Sequence, residues 1–265
     1  MSECTKQPLI IAHRGSSSVA PENTLAAFTQ AIADEADGIE FDVQLAKDGV
    51  PVIIHDANLR RTANRRNAIK DMTSTDLASI DVGSWFNRKY PRRAKPAYAK
   101  EHVPTLEQVF SLVASNARSN FACYVELKID PQETAYEGLV ESVLSAIEAH
   151  GLSHRTAIVS FNLAALAHSK LRKPSIRTGA LFEPIAPTPK RRRTIIELAT
   201  QCGATEILLH RLIARRRMVE LAIESGLTAV VWTVNDPRWL PRAKHLGIHS
   251  LITNTPAKLI ARANS

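Results

Sequence analysis

The segment Gly38-Ile39-Glu40-Phe41-Asp42-Val43 is an apolar run that carries a carboxylate at every second position. Successive side chains of an extended strand point to opposite faces, so Glu40 and Asp42 share one face and Phe41 lies on the other. A buried carboxylate is costly unless a partner or a cation neutralises it. The segment therefore predicts a buried strand with one polar face that needs a neutralising group.

Similar short aliphatic runs recur along the chain, and most are followed by a segment with helical spacing. Together with the quoted segment they occupy residues 9–12, 38–43, 121–127, 156–160, 176–181, 206–209, 228–233 and 249–252. Buried strands that alternate with amphipathic helices are typical of a closed parallel barrel, and the chain of 265 residues is close to the roughly 250 of that fold. The sequence predicts an α/β fold, a (β/α)8 TIM barrel forming a single domain over residues 1–265.

One further strand, Pro51-Val52-Ile53-Ile54-His55, follows Asp48-Gly49. This dipeptide between two apolar runs is a strong hairpin signal, so the strand is predicted to run antiparallel to the strand at 38–43. If Asp48 and Gly49 are the two turn residues, His55 lies directly across from Asp42 and on the same face. The hairpin thereby predicts an imidazole beside the carboxylates.

The segment from residue 57 to residue 104 fits no barrel unit. It contains an arginine-rich stretch, a short helical signal at residues 74–80 and the pair Trp85-Phe86. A loop of this length without structure would be unusual in a compact domain. It is predicted to be a small insertion that caps the barrel mouth, where active sites of this fold lie.

Composition excludes several classes of protein. Hydrophobic residues make up 45% of the chain and charged residues 23%, which is typical of a folded globular protein. No apolar run approaches the roughly 20 residues of a membrane span, and Leu9–Ala12 is too short for a signal peptide, so a cytoplasmic location without stable membrane insertion is predicted. The three cysteines form no metal-binding or disulfide pattern.

The net charge of +8 comes partly from scattered arginine runs that contain no nucleic-acid motif. These runs are interpreted as solvated surface, and no nucleic-acid partner is expected.

Charged residues cluster where predicted strands end, which is where barrel enzymes carry their catalytic groups. The clusters are His13-Arg14-Gly15, the pair Glu40 and Asp42, and Glu126-Leu127-Lys128. Glu40, Asp42 and Glu126 together supply oxygen ligands that suit Mg²⁺ or Ca²⁺ rather than Zn²⁺. The alternative, that an acid forms a structural salt bridge with Lys128 or Arg14, is about equally plausible for any single carboxylate. Three acids in the same setting favour the metal.

Two of the nine histidines have a setting that favours catalysis. His13 ends the first strand, and His55 is brought to Asp42 by the predicted hairpin. Two imidazoles near a divalent cation can divide proton removal and proton delivery at neutral pH. The other histidines are interpreted as structural, His210 with least support because it ends a predicted strand; the remaining ones are His102, His150, His154, His168, His245 and His249.

The ordered succession of short motifs resembles the glycerophosphodiester phosphodiesterase family, in its bacterial, cytoplasmic type. The resemblance covers nearly the whole chain, and although each motif is weak alone, their ordered combination is specific. The motifs are His13-Arg14-Gly15, Pro21-Glu22-Asn23-Thr24, Glu40-Phe41-Asp42-Val43, Asp48-Gly49, Pro51-Val52-Ile53-Ile54-His55-Asp56, Gly83-Ser84-Trp85-Phe86, Pro104-Thr105-Leu106-Glu107, Glu126-Leu127-Lys128, Ser160-Phe161, Trp232-Thr233-Val234-Asn235 and Ile252-Thr253.

The resemblance implies hydrolysis of glycerophosphodiesters to glycerol 3-phosphate and an alcohol, with a small-molecule substrate and a divalent cation. Mg²⁺ or Ca²⁺ is expected, with Mn²⁺ also compatible, on Glu40, Asp42 and Glu126. His13 and His55 would perform the acid–base chemistry, with His13 assigned as the base and His55 as the acid. The attacking group is either water or the adjacent glycerol hydroxyl, which would give a cyclic intermediate.

The remaining implied roles concern substrate binding. Arg14 would neutralise charge on the phosphoryl oxygens, and Lys128 would contact the phosphate or a metal ligand. Phe161 and Trp232 would form apolar walls for the glycerol or alcohol moiety, although aromatic residues at strand ends are about as often core. Asn235 would add a polar contact.

The chain also departs from the family pattern. The family usually carries Asp where this chain has Asn254, and often Asp and Gly where it has Arg60 and Arg66. The arginines at 60, 61, 65 and 66 lie in the predicted insertion and are expected to affect substrate preference.

Two other functions compete with this prediction. A phosphodiesterase that acts on lysophospholipids or sphingolipids at a membrane surface is disfavoured by the lack of an apolar membrane-binding segment. A non-catalytic barrel that binds phosphorylated ligands is disfavoured because a binding protein has no need for both histidines and all three acids.

Overall fold

The computed structural model describes residues 7–129, 134–184 and 191–264, and in these residues it has one closed barrel. Its strands are β1 (Leu9–His13), β2 (Gly38–Leu45), β3 (Pro51–Ile53), β4 (Ala122–Leu127), β5 (Thr156–Ser160), β6 (Arg177–Phe182), β7 (Glu206–His210), β8 (Thr228–Trp232) and β9 (Ser250–Thr253). Parallel pairing runs from β1 through β2 and then β4 to β9, and β9 returns to β1. Strand β3 lies outside the barrel and runs antiparallel to β2.

Helices connect the strands and supply apolar side chains that pack on the outside of the barrel. They are α1 (Leu25–Ala33), α2 (Arg60–Ala63), α3 (Ser74–Leu77), α4 (Ser84–Lys89), α5 (Leu106–Asn116), α6 (Glu137–Ala149), α7 (Leu163–Arg172), α8 (Arg192–Gln201), α9 (Arg216–Glu224), α10 (Trp239–Leu246) and α11 (Pro256–Ala263). The three short helices α2 to α4 belong to the segment at 57–104. The predicted (β/α)8 barrel with an extra hairpin strand is confirmed. None of the helices in the described ranges is long and apolar enough to cross a membrane.

The two faces of β2 have different surroundings. Phe41 is fully buried on the outer face, where its ring contacts the rings of Phe28 and Phe110 at centroid distances of 5.7 and 6.2 Å in edge-to-face geometry. Glu40 and Asp42 alternate with it and point into the barrel. The expected alternation of apolar and acidic side chains is therefore present, and the apolar face anchors the strand that carries the acids.

A polar cluster closes the opposite end of the barrel, where the strands begin. The carboxylate of Glu206 accepts hydrogen bonds from the Tyr124 hydroxyl at 3.0 Å and from Arg177 Nε at 2.8 Å, one on each oxygen. Glu206 is almost fully buried. Both of its oxygens are satisfied within the protein, so this buried acid is a structural one.

The hairpin differs from its predicted register by one residue. The observed pairs are Val43 with Ile53 and Gln44 with Val52, and the Ile54 amide donates to the carbonyl of Asp42 at 3.0 Å. The prediction that His55 lies directly across from Asp42 is therefore wrong.

The physical reason is a turn of three residues, 47 to 49, instead of two. The amide of Ala46 donates to the carbonyl of Val50, and Gly49 adopts φ +76°, as in a three-residue loop with a glycine bulge. The side chain of Asp48 accepts hydrogen bonds from Ser74, 26 residues away. The segment at 57–104 thus stabilises a turn that local sequence did not specify.

We expect Phe41→Ala to lower the free energy of unfolding by about 3–5 kcal/mol, because it leaves a cavity between two aromatic rings. Urea denaturation monitored by circular dichroism measures the change. Leu171, which is 78% exposed, provides the matched control, and Leu171→Ala should change the stability by less than about 0.5 kcal/mol. Equal effects of the two substitutions would contradict the packing described for β2.

Candidate active site

Three carboxylates meet at the ends of β2 and β4. Asp42 lies beside Glu126 in the parallel register of these strands, and Glu40 lies two residues earlier on the same face. One oxygen from each of the three lies within 4.8 Å of the others, and all three residues are buried. The predicted grouping of Glu40, Asp42 and Glu126 is present in the structure, and we refer to it as the acidic triad.

Two basic side chains contact the acidic triad. Arg14 Nε lies 3.1 Å from Asp42 Oδ2, and Lys128 Nζ lies 2.8 Å from Glu126 Oε1 and 3.7 Å from Asp42 Oδ1. The salt bridges considered as an alternative to a metal site therefore form. These salt bridges leave part of the triad without hydrogen bonds, because Glu40 Oε1 and Asp42 Oδ1 are buried and have no hydrogen-bond partner among the described residues.

The three carboxyls differ in how readily they ionise. Burial, together with the charges of Asp42 and Glu126, raises the pKa of Glu40 well above its usual value. Burial and the charge of Asp42 raise the pKa of Glu126 to about 7. Burial also acts on Asp42, but Arg14, Lys128 and a hydrogen bond from Asn23 outweigh it and hold the pKa of this carboxyl below its usual value. When all three carboxyls are ionised, the site therefore has three negative charges against the two basic side chains of Arg14 and Lys128.

The donor set fits a hard divalent cation. Two buried, unpartnered carboxylate oxygens and a third carboxylate within reach are the ligands that Mg²⁺, Ca²⁺ and Mn²⁺ prefer, and no sulfur or imidazole nitrogen belongs to the group. The contrast with Glu206 is informative, since that buried acid is satisfied by protein donors on both oxygens.

His13 ends β1 beside the triad. Its Nδ1 lies 2.6 Å from Asn254 Oδ1, and its Nε2 lies 3.8 Å from Glu40 Oε2. An amide oxygen only accepts hydrogen bonds, so Nδ1 carries the proton and Nε2 has the free lone pair. Burial and the charge of Arg14 lower the pKa of His13 to about 4. The role of Asn254 was not predicted, although this position was singled out as a departure from the family pattern.

The turn after His13 explains how Arg14 reaches Asp42. Arg14 and Gly15 both adopt left-handed backbone conformations, with φ of +54° and +77°. A β-carbon at Gly15 would lie 2.6 Å from the backbone of Ala27, so only glycine fits there. The chain leaves the strand abruptly, and the Arg14 amide donates to the Glu40 carbonyl at 2.7 Å.

His55 enters the site by a different route from the one predicted. Strand β3 ends at Ile53, and the side-chain amide of Gln44 lies 2.9–3.1 Å from the carbonyls of Ile54, His55 and Asp56. This bend leaves His55 within electrostatic range of Asp42, with its Nδ1 2.7 Å from Asp56 Oδ1. Gln44 was not predicted, and its only signal in the sequence is a polar residue in a strand.

Two residues of the Pro21–Thr24 motif, for which the sequence predicted no role, contact the charged groups of the site. Asn23, at φ +57°, donates from its amide to Asp42 Oδ2 at 2.7 Å and so holds a triad carboxylate in place. Glu22 accepts from Arg14 Nη1 at 2.7 Å and from the guanidinium of Arg61. The Pro21–Thr24 motif therefore contacts both Arg14 and the triad carboxylate of Asp42.

Aromatic side chains lie at the carboxyl ends of β5, β7 and β8, the same end of the barrel as the acidic triad. Phe161 and His210 each pack edge-to-face on Trp232, with ring centroids 5.8 and 5.2 Å from it. Asn235 accepts hydrogen bonds from the Asn254 amide at 2.9 Å and from the Thr253 hydroxyl at 3.2 Å. Its carbonyl oxygen is therefore occupied within the protein, and its contact with an alcohol stays a prediction.

Comparison with known proteins agrees with this geometry. A sequence model of the glycerophosphoryl diester phosphodiesterase family matches residues 13–258. The chain belongs to this family. Among relatives that carry the name glycerophosphodiester phosphodiesterase, one from Caldanaerobacter subterraneus is 33% identical over 252 residues, which cover 95% of this chain and 96% of that protein. One from Bacillus subtilis is 31% identical over 254 residues, covering 94% and 84%. The predicted enzyme class is confirmed.

The fold of this phosphodiesterase family member is also similar to that of a solved structure. A phosphodiesterase of Oleispira antarctica, in complex with the product sn-glycerol-3-phosphate, superposes with a TM-score of 0.83 and 27% identity, and 98% of each chain is covered.

The raised pKa values of Glu40 and Glu126 predict how pH affects the metal-free protein. A carboxyl whose pKa is higher in the folded state stabilises the fold below its usual value of 4.5, and for Glu126 this contribution is lost as pH rises through about 7. We therefore expect the Tm of the metal-free protein to fall between pH 5 and pH 8. Added Mg²⁺ or Ca²⁺ should raise Tm more at pH 8 than at pH 5, because binding displaces these protons. Differential scanning calorimetry measures both effects. An increase in Tm on metal addition that does not depend on pH, or that persists in Asp42→Asn, would contradict metal binding by the acidic triad.

Proposed function

We propose that this protein hydrolyses glycerophosphodiesters to glycerol 3-phosphate and an alcohol, with a divalent cation on Glu40, Asp42 and Glu126. The observation that carries the proposal is the buried acidic triad, which has two unpartnered oxygens and lies between Arg14 and Lys128. The similar phosphodiesterase of Oleispira antarctica, which was solved in complex with the product sn-glycerol-3-phosphate, supports the choice of substrate. The reaction would take part in glycerol and lipid metabolism. We propose that it takes place in the cytoplasm.

The site answers the two difficulties of phosphodiester hydrolysis, which are the negative charge of the phosphate and a poor leaving group. A bound cation would offset negative charge on the phosphoryl oxygens. Arg14 would contribute further positive charge, since its guanidinium already lies beside Asp42. Lys128 contacts two triad carboxylates and would orient these ligands while facing the phosphate.

His13 has the properties of the base. Its pKa of about 4 keeps it neutral at pH 7, and Asn254 leaves the lone pair on Nε2, the atom nearer the triad. His13 would take a proton from the attacking hydroxyl as the new bond to phosphorus forms. The attacking group is water or the adjacent glycerol hydroxyl, and the latter would give a cyclic phosphate that water opens in a second step.

His55 has the properties of the acid. Asp56 Oδ1 lies 2.7 Å from its Nδ1, and because a carboxylate oxygen accepts hydrogen bonds, Nδ1 donates to it. Nε2 would deliver its proton to the departing alkoxide as the bond from phosphorus breaks. The two histidines thus differ in their partners, a neutral amide for one and a carboxylate for the other, which supports the division of roles.

The substrate would be enclosed by two groups of residues. Phe161 and Trp232 would form apolar walls against the glycerol or alcohol moiety, and Asn235 would hold the loop behind them. The segment at 57–104 would cap the barrel mouth within a single-domain chain. Nothing in these contacts favours a lysophospholipid or sphingolipid over a small diester, and the retained triad and histidines argue against a purely binding role.

Removal of the metal should abolish activity. We expect EDTA to stop the hydrolysis of glycerophosphocholine and Mg²⁺, Ca²⁺ or Mn²⁺ to restore it, with product release measured by an enzyme-coupled assay for glycerol 3-phosphate. Glu40→Gln, Asp42→Asn and Glu126→Gln should each lower kcat by about 10²–10³-fold with the fold retained by circular dichroism. Full turnover in a rigorously metal-free preparation would rule out the proposed metal.

Substitution of either histidine by alanine should lower kcat by about 10²–10⁴-fold. The two roles separate on bis(p-nitrophenyl) phosphate, because p-nitrophenolate departs with little need for a proton. His55→Ala should recover most of its activity on that substrate, and His13→Ala should not. Steady-state kinetics of both variants on both substrates provides the measurement. Equal inactivity of the two variants on the activated diester would show that the division of roles is wrong.

A further inference from the structure

Arg61 lies outside the barrel, in α2, yet its guanidinium is committed to two carboxylates near the reacting groups. Nε donates to Asp56 Oδ2 at 2.6 Å, while Nη1 and Nη2 donate to Glu22 Oε2 and Oε1 at 2.8 and 2.9 Å. The bond to Glu22 is a two-pronged one, which only a planar guanidinium can make. Arg61 therefore joins Asp56 and Glu22 in a fixed geometry.

Each of these carboxylates holds a group that the proposed reaction uses. Asp56 presents its other oxygen, Oδ1, to His55 Nδ1 at 2.7 Å. Glu22 Oε1 also accepts from Arg14 Nη1 at 2.7 Å. His55 and Arg14 are thus connected through Arg61 by an unbroken series of hydrogen bonds, although they lie on separate loops.

The other arginines expected to act together with Arg61 are in a different setting. Arg60, Arg65 and Arg66 are exposed and form no ion pair with any described residue. The ring of Trp85, also from the segment at 57–104, lies 5.8 Å from the Arg61 guanidinium. The four arginines therefore do not form one group.

Removing the Arg61 guanidinium would change both loops. Glu22 and Asp56 would remain as neighbouring carboxylates without the cation between them, and like charges repel. Asp56 would be free to turn away from His55, and the whole charge of Glu22 would act on Arg14. A displacement of about 1 Å at a reacting group can cost about 10²-fold in rate.

We propose that Arg61 is a positioning residue, which orients His55 through Asp56 and Arg14 through Glu22. This proposal rests on the proposed two-histidine function. It assigns to Arg61 a part in turnover and not in the attraction of substrate, in contrast to what the arginine-rich sequence suggests by itself.

The test compares Arg61→Ala, Arg61→Lys and the wild-type holoenzyme on glycerophosphocholine. We expect kcat of Arg61→Ala to fall about 10²-fold with KM changed by less than about threefold, and guanidinium chloride at millimolar concentration to restore part of the turnover. Arg61→Lys should stay impaired, because one ammonium group cannot bridge both carboxylates. Arg92→Ala, which removes an exposed arginine of the same segment, is the control and should keep wild-type kcat.

The outcomes separate this proposal from the function on which it rests. A raised KM with unchanged kcat in Arg61→Ala would mean that Arg61 attracts substrate and would overturn the proposal. A loss of kcat that follows a loss of Tm and is not restored by guanidinium would reduce Arg61 to a structural role, which also overturns it. If His55→Ala keeps wild-type turnover on glycerophosphocholine, the proposed two-histidine mechanism fails, and the positioning role of Arg61 falls with it.

Discussion

The burial of Glu40, Asp42 and Glu126 within 4.8 Å of one another is the interaction on which the rest of the site depends. Burial in the barrel, together with repulsion between like charges at that distance, raises the pKa values of Glu40 and Glu126. Arg14 and Lys128 offset part of the charge. The oxygens that remain without a partner are what a divalent cation would bind, whereas Glu206 at the other end of the barrel needs no such ion.

Two of the side chains that contact Asp42 come from strained loops, whereas Lys128 directly follows β4. Arg14 and Asn23 both adopt left-handed backbone conformations, and both contact Asp42. Such conformations are costly for residues other than glycine and persist where the surrounding contacts require them. The regular barrel thus fixes the acids, while two short irregular turns place the donors.

The histidines have opposite electrostatic surroundings. Burial and the charge of Arg14 lower the pKa of His13, whose Nδ1 donates to an amide oxygen, whereas His55 is half-exposed and its Nδ1 lies 2.7 Å from a carboxylate oxygen of Asp56. The two imidazoles therefore differ in burial and in hydrogen-bond partner, although they belong to the same residue type. Arg61 connects His55, through Asp56, to Arg14, through Glu22.

The sequence by itself determined the barrel and the acidic triad, because both follow from local periodicity. Alternation within a strand places Glu40 and Asp42 on one face, and eight apolar runs separated by amphipathic helices in a chain of this length indicate a parallel barrel. Tertiary structure alone decided the partners. Asn254 meets His13 across 241 positions because β9 pairs with β1, and hydrogen bonds from Ser74, in the segment at 57–104, hold Asp48 in the three-residue turn of the hairpin. Likewise, Gln44 and Arg61 gained their roles from contacts with His55, Asp56 and Glu22. Such contacts depend on chain closure and on loops that fold against the barrel, and the local pattern of residues carries no information about either.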